Sequence, residues 1–351
     1  MNRSKNISQK PLYKQDQLPI FQNLVFDKIE DAISCPKGNI LLVEDQKTGL
    51  IYNECFDPES VVYSAAYQNE QGYSNVFQSH LDLVSQIINR LLGQKNLIEI
   101  GCGKGYFLEL LVSKNFEVIG FDPAYEGNSD RIIKKYFTTD FSGEVNGIIL
   151  RHVLEHINNP LNFLNLVREA TKGKGKVYIE VPCFDWICSH NAWFDIYYEH
   201  VNYFRLCDFY RMFSEIIESG KLFGGQYLYI VAELSKIIDP IYKKHDQIRF
   251  PKDFSSNLST IQDRSIAVWG GSSRGVIFSL LKSRAGQKID AIIDINPIKQ
   301  EKYLPLTGFK VISPKIALPL LEKGSTVYIM NNNYTEEIKV LSNNSYNYIE
   351  L

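Results

Sequence analysis

Short apolar runs and longer amphipathic segments alternate along the middle of this chain. The apolar runs predict buried strands that end near residues 100, 121, 150 and 181. Residues 81–92 and 161–170 have apolar positions at helical spacing, which predicts amphipathic helices beside those strands. Alternation of this kind is typical of a parallel sheet with helices on both faces, so we expect an α/β fold between about residues 81 and 235.

The same alternation returns after a break. Residues 236–257 form a charged, proline-marked stretch that predicts a linker. Apolar runs beyond it, with a glycine-rich turn at 270–275, predict a second, smaller Rossmann-like domain. Before the core, residues 18–80 are rich in aromatic residues and contain short strand-like pieces. The predicted domains are therefore an N-terminal leader with a small substrate-side domain, a core and a C-terminal domain, at residues 1–80, 81–235 and 236–351.

The first predicted strand of the core ends in a turn of the form acidic-x-Gly-x-Gly-x-Gly, made by Glu99, Gly101, Gly103 and Gly105. Glycines let the backbone approach a bound ligand closely. The adjacent carboxylate disfavours a phosphate and favours a cationic, zwitterionic ligand. A dinucleotide fingerprint has glycine at its sixth position, where this chain has Tyr106. The turn therefore predicts S-adenosylmethionine (SAM) rather than NAD; an ordinary strand–helix turn is the alternative.

Two further acids follow predicted strands of the core. Asp122 ends the second strand, about 20 residues after the glycine turn, where a carboxylate can accept both hydroxyl protons of a ribose. NAD-binding folds use the same device, so Asp122 alone does not discriminate between the cofactors. Asp140 lies near the expected end of a third strand and could accept from an adenine amino group. A cap or turn residue is the equally weighted alternative for Asp140.

Composition and charge narrow the class of protein. The chain has 351 residues with 44% hydrophobic and 22% charged, which is ordinary for a globular protein. Its net charge of -2 gives no reason to expect nucleic acid or a membrane surface as a partner. Its six cysteines form no C-x-x-C pair, and no signal peptide or membrane-spanning run is recognisable, so we expect a cytoplasmic protein with reduced thiols.

Histidines cluster after the fourth predicted strand of the core. His152 and His156 are four residues apart, with Glu155 between them, at the edge where open α/β sheets bind ligands. An H-E-x-x-H metal motif is absent, so no metal is expected at this site. We expect one histidine to face the cofactor cleft, with His152 as a catalytic candidate, and the other to cap or pack.

The richest candidate segment for catalysis is 193–204. His200 is a natural general base near neutral pH, Glu199 could orient it, and Tyr197 could donate to a developing oxyanion. Methylation of a carbon next to a ketone needs both a base and such a donor. An aromatic core segment with a structurally satisfied His200 is an equally weighted alternative.

Taken in order, the motifs at 99–105, 152–156, 197–200, 270–275, 294–299 and 302–308 resemble those of three-domain sugar C-methyltransferases of deoxysugar pathways. The resemblance covers nearly the whole chain from about residue 18. It implies a Rossmann-like class I methyltransferase core with a mixed, mostly parallel seven-stranded sheet. A small N-terminal domain and a Rossmann-like C-terminal domain would flank that core.

The resemblance also implies roles for single residues. His200 would take the α-proton of a nucleotide-linked 4-keto-6-deoxysugar, with Glu199 and Tyr197 beside it. A leader tyrosine of the family reaches the active site, and Tyr67 is its match here. Gln71 would touch the cofactor, SAM, whose product is S-adenosylhomocysteine.

Substrate contacts are expected at two places. Tyr198 stands where the family usually has histidine, and with Asn202 it would contact the substrate. In the C-terminal turn, backbone N–H groups at Gly271 and Ser272 could cradle a diphosphate, and Arg274 could add charge. A glycine turn kept only for packing is the alternative.

One departure from the family concerns zinc. Family leaders bind a structural zinc through two C-x-x-C pairs; the first pair is absent here, and the second would fall at residues 45–49, which contain no cysteine. Cys35 and Cys55 cannot complete a four-ligand site by themselves. We therefore expect a zinc-free leader.

The sequence as a whole predicts a cytoplasmic SAM-dependent methyltransferase, monomeric or homodimeric, that acts on a small molecule, and the expected substrate is a nucleotide sugar. An O- or N-methyltransferase on the same scaffold is the first alternative, and the substitution at Tyr198 sustains it. A non-catalytic SAM-fold binding protein is the second alternative, although the intact turn and Asp122 disfavour it. An NAD oxidoreductase is the weakest alternative, because of Tyr106.

Overall fold

The computed structural model describes residues 11–61, 72, 74–242, 244–261 and 264–351. Its strands are, in chain order, β1 (Tyr13–Pro19), β2 (Lys37–Glu44), β3 (Ile51–Asn53), β4 (Leu97–Ile100), β5 (Val118–Phe121), β6 (Ile132–Ile133), β7 (Gly147–Arg151), β8 (Lys176–Pro182), β9 (Asn202–Tyr203), β10 (Glu218–Leu222), β11 (Tyr227–Glu233), β12 (Ile266–Trp269), β13 (Ala291–Ile293), β14 (Val311–Ile312), β15 (Thr326–Ile329) and β16 (Asn347–Glu350). Its α-helices are α1 (Ile29–Ile33), α2 (Asn75–Leu91), α3 (Tyr106–Ser113), α4 (Pro160–Ala170), α5 (Phe184–Ser189), α6 (Leu206–Met212), α7 (Arg274–Arg284), α8 (Pro314–Ala317) and α9 (Thr335–Leu341). None of the helices in these described ranges is long and apolar enough to cross a membrane.

The central sheet has seven strands in the order β10-β11-β8-β7-β4-β5-β6. The five strands from β8 to β6 run parallel to one another. At one edge, β11 pairs antiparallel with β8, and β10 pairs antiparallel with β11. Strand β4 is buried along its whole length, because helices cover both faces of the sheet. The predicted α/β core with a mixed, mostly parallel sheet is confirmed.

The C-terminal sheet is the second parallel sheet of the molecule. Its five strands follow the order β14-β13-β12-β15-β16, and each neighbouring pair is parallel. Helix α7 begins directly after the glycine turn that follows β12, as the pattern of the sequence predicts. The Rossmann-like character expected for this part of the chain is therefore confirmed.

The N-terminal sheet is antiparallel, with the strand order β1-β2-β3-β9. Its last strand, β9, does not come from the leader; it lies within the candidate segment 193–204 of the core. Pairing of Ile51 with Tyr203 and of Tyr52 with Asn202 therefore fixes that segment between two sheets.

The expected boundary between residues 80 and 81 is wrong. Helix α2 starts at Asn75 and runs across it, and its buried face continues from Phe77 through Leu81 and Val84 to Ile88. These positions follow the helical period, so one apolar stripe packs against the core sheet. The core begins before Asn75, and cutting at residue 80 would divide a single packed helix.

Two arginines hold the loop where the family resemblance places a cysteine pair. Asp45 Oδ1 accepts from the backbone N–H groups of Lys47 and Thr48, at 2.8 and 2.7 Å. Arg205 Nη2 and Arg211 Nη2 donate to the carbonyl oxygen of Gly49, at 2.8 and 3.3 Å. Guanidinium groups thus anchor this loop from the core side.

Candidate active site

A cleft of about 350 Å³ opens between the carboxyl edge of the core sheet and the C-terminal unit. Its lining includes the glycine turn after β4, the turn after β7, and the glycine loop after β12. Open α/β folds bind ligands at this edge because loops, not helices, cover it. The cleft is therefore the candidate active site.

The glycine turn after β4 has the close backbone geometry that a ligand cradle requires. Gly101 and Gly105 have φ values of 72° and 81°, in the left-handed region that side chains rarely adopt. An added Cβ at Gly101 would lie 2.5 Å from Val153 Cγ2. At Gly103 an added Cβ would meet nothing within 4 Å. The turn thus leaves open space above its middle glycine.

Glu99 supplies the charge beneath this turn. Its side chain is buried, and its Oε2 atom has no hydrogen-bond partner among the described residues. Burial raises the pKa of Glu99 to about 7, although the nearby Arg151 charge opposes that shift. A buried carboxylate with an unused oxygen suits a cationic group, as in the zwitterionic end of SAM. The turn and Glu99 therefore fit the predicted cofactor.

Asp122 is built into the same turn, whereas Asp140 is not. Asp122 Oδ2 accepts from Gly103 N at 2.8 Å, and Oδ1 accepts from Ala124 N at 2.8 Å. These bonds fix the carboxylate beside the glycine turn, as a ribose-binding acid requires. Asp140 is exposed in a turn, because the third parallel strand ends at Ile133 and does not extend to residue 140.

His152 lines the cleft, as expected of a catalytic candidate, but its surroundings disfavour the role of a base. Its Nδ1 lies 3.3 Å from Glu155 Oε1, and its Nε2 lies 3.2 Å from Glu180 Oε1. Although burial disfavours the charged form, these two carboxylates raise the pKa of His152 to about 9. A charged imidazole has no free lone pair, so this raised pKa disfavours His152 as the base at neutral pH, and its catalytic role stays a prediction.

Glu180, on β8, is a buried centre that the sequence analysis missed. Its carboxylate is contacted by His80, Arg151, His152 and the Tyr178 hydroxyl at 2.5–3.2 Å. Burial alone would raise its pKa, but the Arg151 charge and the histidine contacts hold the pKa of Glu180 well below its usual range. No local motif marks it, since its partners come from three different elements.

His200 and His156 meet in the cleft. Their ring centroids are 4.7 Å apart at an interplanar angle of 83°. Burial and then the neighbouring histidines lower the pKa of His200 well below its usual value, and burial also lowers that of His156. His156 Nδ1 lies 3.0 Å from the Glu199 carbonyl oxygen, to which its N–H donates. Both rings are thus neutral, and the pairing identifies His156, rather than His152, as the partner of His200.

Glu199 and Tyr197 are close to His200 but are engaged elsewhere. Glu199 is fully buried, and its Oε1 accepts from Gln22 Nε2 at 2.6 Å. The Tyr197 hydroxyl donates a very short hydrogen bond to Asp195. Burial and the Asp195 charge hold the pKa of Tyr197 well above its usual range. Its phenol proton is therefore committed to Asp195, and the expected role as an oxyanion donor is not supported.

Tyr198 and Asn202 are not substrate contacts in this structure. The Tyr198 hydroxyl accepts from Asp57 N at 3.0 Å, and its ring stacks on Phe56 in the leader. Asn202 is buried in β9 and donates to the Ile157 carbonyl oxygen at 2.7 Å. They hold the segment in place rather than line the cleft.

The C-terminal glycine loop does not present the expected cradle of free N–H groups. The N–H groups of Gly270, Gly271, Ser273 and Gly275 donate to Ile293 O, Asp294 Oδ2, Gln22 O and Ser272 O. Arg274 Nη2 pairs with Asp195 Oδ2 at 2.6 Å, so its charge is already neutralised. Two of the three expected contacts at this loop, Gly271 and Arg274, are therefore occupied by protein groups.

Lys299 is the cation that the sequence analysis missed at this loop. Its Nζ donates to Ser272 Oγ at 2.6 Å and lies 3.5 Å from Asp294 Oδ2, and all three residues line the cleft. Ser272 thus remains a cleft residue as expected. The signal in the sequence was the motif at 294–299, which the family resemblance used without assigning a role.

Glu155, His156 and His200 form a potential metal-ligand set. One donor atom from each lies within 4.8 Å of the others. Two imidazoles and a carboxylate are a ligand combination found in metal sites. The absence of a metal nevertheless stays our prediction. Tyr67 and Gln71, two further candidates, lie outside the described residues.

Comparison with known proteins supports the class of the core. Residues 74–216 match the family model described as a methyltransferase domain. No curated protein matches the chain significantly. Among solved structures, a SAM-dependent methyltransferase from Archaeoglobus fulgidus is 19% identical, covering 46% of this chain and 100% of that one, with a TM-score of 0.31. The 1,6-didemethyltoxoflavin-N1-methyltransferase of Burkholderia thailandensis is 12% identical, covering 53% and 96%, with a TM-score of 0.34.

These TM-scores are low, so the class of the core is assigned from the family match and from the geometry of the site. The segment 74–216 contains β4, its glycine turn, Glu99 and Asp122 in the geometry described above. It is a SAM-binding methyltransferase domain. The protein is accordingly a SAM-dependent methyltransferase, and SAM is its cofactor.

Proposed function

We propose that this enzyme methylates a carbon next to the ketone of a nucleotide-linked deoxysugar, with His200 as the base. The observation that carries the proposal is the position of the His200 imidazole, which lines the same cleft as the SAM turn; burial there lowers its pKa and so favours the neutral form. A neutral imidazole has a lone pair and can accept a proton at neutral pH. The order of motifs shared with sugar C-methyltransferases supports the substrate class.

Proton transfer is the step in which the protein's own residues act. His200 takes the proton from the carbon next to the ketone, and the electron pair moves onto the ketone oxygen as an enolate. The imidazolium that forms carries a positive charge, which stabilises the adjacent enolate. SAM, when bound at residues 99–105, supplies the methyl group from an already activated sulfonium.

The nucleotide part of the substrate would lie against the C-terminal loop. Lys299 and Ser272 provide a cation and a hydroxyl there, and Asp294 stands at the end of β13 beside them. A lysine ammonium binds phosphate as a point charge. The cleft joins this loop to His200, so one ligand can span both.

The test is solvent deuterium wash-in. The enzyme is incubated in D2O with a nucleotide-linked 4-keto-6-deoxysugar and S-adenosylhomocysteine, and deuterium at the α-carbon is measured by NMR. We expect exchange by the wild type and loss of at least 100-fold in His200→Ala, as expected when a general base is removed. Binding of S-adenosylhomocysteine, measured by calorimetry, should be unchanged in that variant.

The control is His245→Ala, which removes an exposed histidine whose side chain is 75% accessible. It should exchange deuterium as the wild type does. Exchange by His200→Ala at the wild-type rate would remove His200 from the base role. Methylation without any exchange by the wild type would instead indicate an O- or N-acceptor. In the sequence, the main reason to consider an O- or N-acceptor was the tyrosine at position 198. In the structure, the side chain of Tyr198 packs against the leader.

Further expectations accompany this proposal. We propose three functional parts, with the first boundary moved to before Asn75 and the second kept near residue 236. The enzyme is expected to act in the cytoplasm as a monomer or homodimer. The leader is expected to bind no zinc, and about one equivalent of zinc per chain in a metal analysis would contradict this.

A further inference from the structure

Arg274 connects the C-terminal unit to the candidate catalytic segment. It is the first residue of α7, directly after the glycine loop, yet its guanidinium reaches into the core. Nη2 donates to Asp195 Oδ2 at 2.6 Å, and both side chains are at most 10% exposed. The guanidinium carbon also lies 4.9 Å from the Trp186 ring centroid. This is a buried, charge-paired contact between two parts of the chain that are 79 positions apart.

Asp195 also contacts Tyr197 and so links Arg274 to it. Its second oxygen, Oδ1, accepts the hydrogen bond of the Tyr197 hydroxyl. The carboxylate is thus held by a cation on one side and orients a phenol on the other. Because both partners are buried, the geometry of Tyr197 depends on the charge balance at Asp195.

Tyr197 in turn forms one wall of the pocket that holds His200. The two rings meet edge to face, with centroids 4.8 Å apart at 73°. His156 forms another wall, with ring centroids 4.7 Å from each other. Within the described part of the chain, ring contacts rather than hydrogen bonds hold the His200 imidazole. The orientation of the base is therefore set by its aromatic neighbours.

We propose that Arg274 and Asp195 are positioning residues, through which the C-terminal glycine loop orients His200 by way of Tyr197. The inference rests on the proposed role of His200 as the base. A ligand on the glycine loop contacts the residues immediately before Arg274. Binding of that ligand should therefore change the orientation of His200 more than it changes the binding of SAM at the glycine turn of the core.

The primary test is Arg274→Gln, with Arg274→Lys as the conservative partner. A base displaced by about 1 Å costs up to 100-fold in rate, so we expect a 10- to 100-fold loss of kcat in Arg274→Gln. Deuterium wash-in should fall by the same factor, while the affinity for S-adenosylhomocysteine stays within twofold. Arg274→Lys keeps the charge and should recover most of the rate. Rates are normalised to the concentration of sites that bind S-adenosylhomocysteine, which removes any unfolded fraction.

Arg284→Gln is the matched control, because it removes an arginine from the other end of α7. Within the described residues, the hydrogen bonds of Arg284 go to the carbonyl oxygens of Asp16 and Gln17, at 3.0 and 2.7 Å. Its kcat should equal that of the wild type. A second variant, Asp195→Asn combined with Arg274→Gln, covers the case in which Arg274→Gln fails to fold. Removal of the uncompensated carboxylate should restore folding, and because the Arg274–Asp195 contact is still missing, kcat should stay about 10- to 100-fold below that of the wild type. A wild-type kcat in the folded double variant would refute the positioning role.

The outcomes separate this inference from the proposed function. If the wild type exchanges deuterium, His200→Ala does not, and Arg274→Gln matches the wild type, the positioning role is refuted while the base role stands. If His200→Ala also matches the wild type, the proposed function fails first. If Tyr197→Phe loses all exchange while Arg274→Gln loses none, Tyr197 acts directly on the substrate and the relay is refuted.

Discussion

The glycine turn of the core and that of the C-terminal unit share one backbone device. The first glycine of each, Gly101 and Gly270, donates its N–H to the neighbouring parallel strand at 2.7 Å. A later glycine N–H in each donates at 2.8 Å to the acid that ends that strand, Asp122 or Asp294. The second oxygen of each acid accepts from the backbone two residues further on, again at 2.8 Å.

The two turns differ in the charges placed around this device. Two residues before the first glycine, the core has the buried acid Glu99 and the C-terminal unit has the apolar Val268. Conversely, the C-terminal acid has Lys299 at 3.5 Å. A buried acid favours a cationic ligand, whereas a lysine favours an anionic one. The same backbone geometry can therefore serve SAM in one unit and a phosphorylated substrate in the other, and side chains alone make the distinction.

The largest expected effect comes from filling the C-terminal turn. An added Cβ at Gly275 would lie 1.7 Å from the backbone oxygen of Gly270, whereas one at Gly105 would lie 2.5 Å from the flexible tip of Ile132. Backbone cannot yield as a side-chain end can, so Gly275→Ala should cost about 3 kcal/mol of unfolding free energy or more. Urea denaturation measures this. A larger loss in Gly105→Ala would show that left-handed strain outweighs the clash.

A smaller but more selective effect is expected at the two acids. Asp122→Asn should weaken binding of S-adenosylhomocysteine by about 10- to 100-fold, because bonds to charged groups contribute roughly 1.5–3 kcal/mol. Asp294→Asn should leave that affinity unchanged and raise the KM of the nucleotide sugar instead. Asparagine keeps one acceptor oxygen, for the glycine N–H, and loses the second, so both variants should fold with a similar, modest loss of stability. Equal losses of cofactor affinity in the two variants would contradict a division of ligands between the turns.

Glu99, which has no counterpart in the C-terminal turn, predicts that the affinity for SAM depends on pH. Burial raises the pKa of Glu99 to about 7 in the cofactor-free protein. A cationic ligand favours the ionised carboxylate, so its binding lowers that pKa and releases a proton. SAM affinity should therefore rise with pH by up to about tenfold per unit below pH 7, and level off above it. Calorimetry between pH 6 and 8 measures the slope, and Glu99→Gln should flatten it; an unchanged slope in that variant would assign the proton to another group.

The smallest expected effect comes from filling the open space above Gly103 in the glycine turn of the core. Gly103 and Gly93 both have left-handed φ values, 56° and 86°, and an added Cβ meets nothing within 4 Å at either. Each alanine variant should lose about 1 kcal/mol of stability from backbone strain. Only Gly103→Ala should also weaken S-adenosylhomocysteine binding, measured by calorimetry. Equal affinities in both variants would mean that the cofactor does not approach Gly103.

Much of the fold was predictable because it depends on local pattern. Continuous apolar runs gave the central strands, and the acidic-x-Gly-x-Gly-x-Gly turn located the SAM site, since only glycine adopts those φ values without strain. Asp122 was predictable for a similar reason, as the end of a parallel strand must fall beside the preceding turn. The predicted domain boundary at residue 80 was wrong because helix α2 begins at Asn75, before the apolar run that starts at Leu81. The first turn of this helix is polar on its exposed side, so the apolar pattern alone did not reveal it.

The sequence by itself thus determined the class of fold, the two glycine turns and the cofactor of this methyltransferase, because neighbouring residues decide strands, turns and helix starts. Only the tertiary structure decided which histidine pairs with His200, that Arg274 serves Asp195 rather than a ligand, and that Tyr198 packs in the leader. Those outcomes depend on contacts between distant segments. In a buried site each charge must find a partner, and which partner it finds is fixed by packing and not by spacing along the chain.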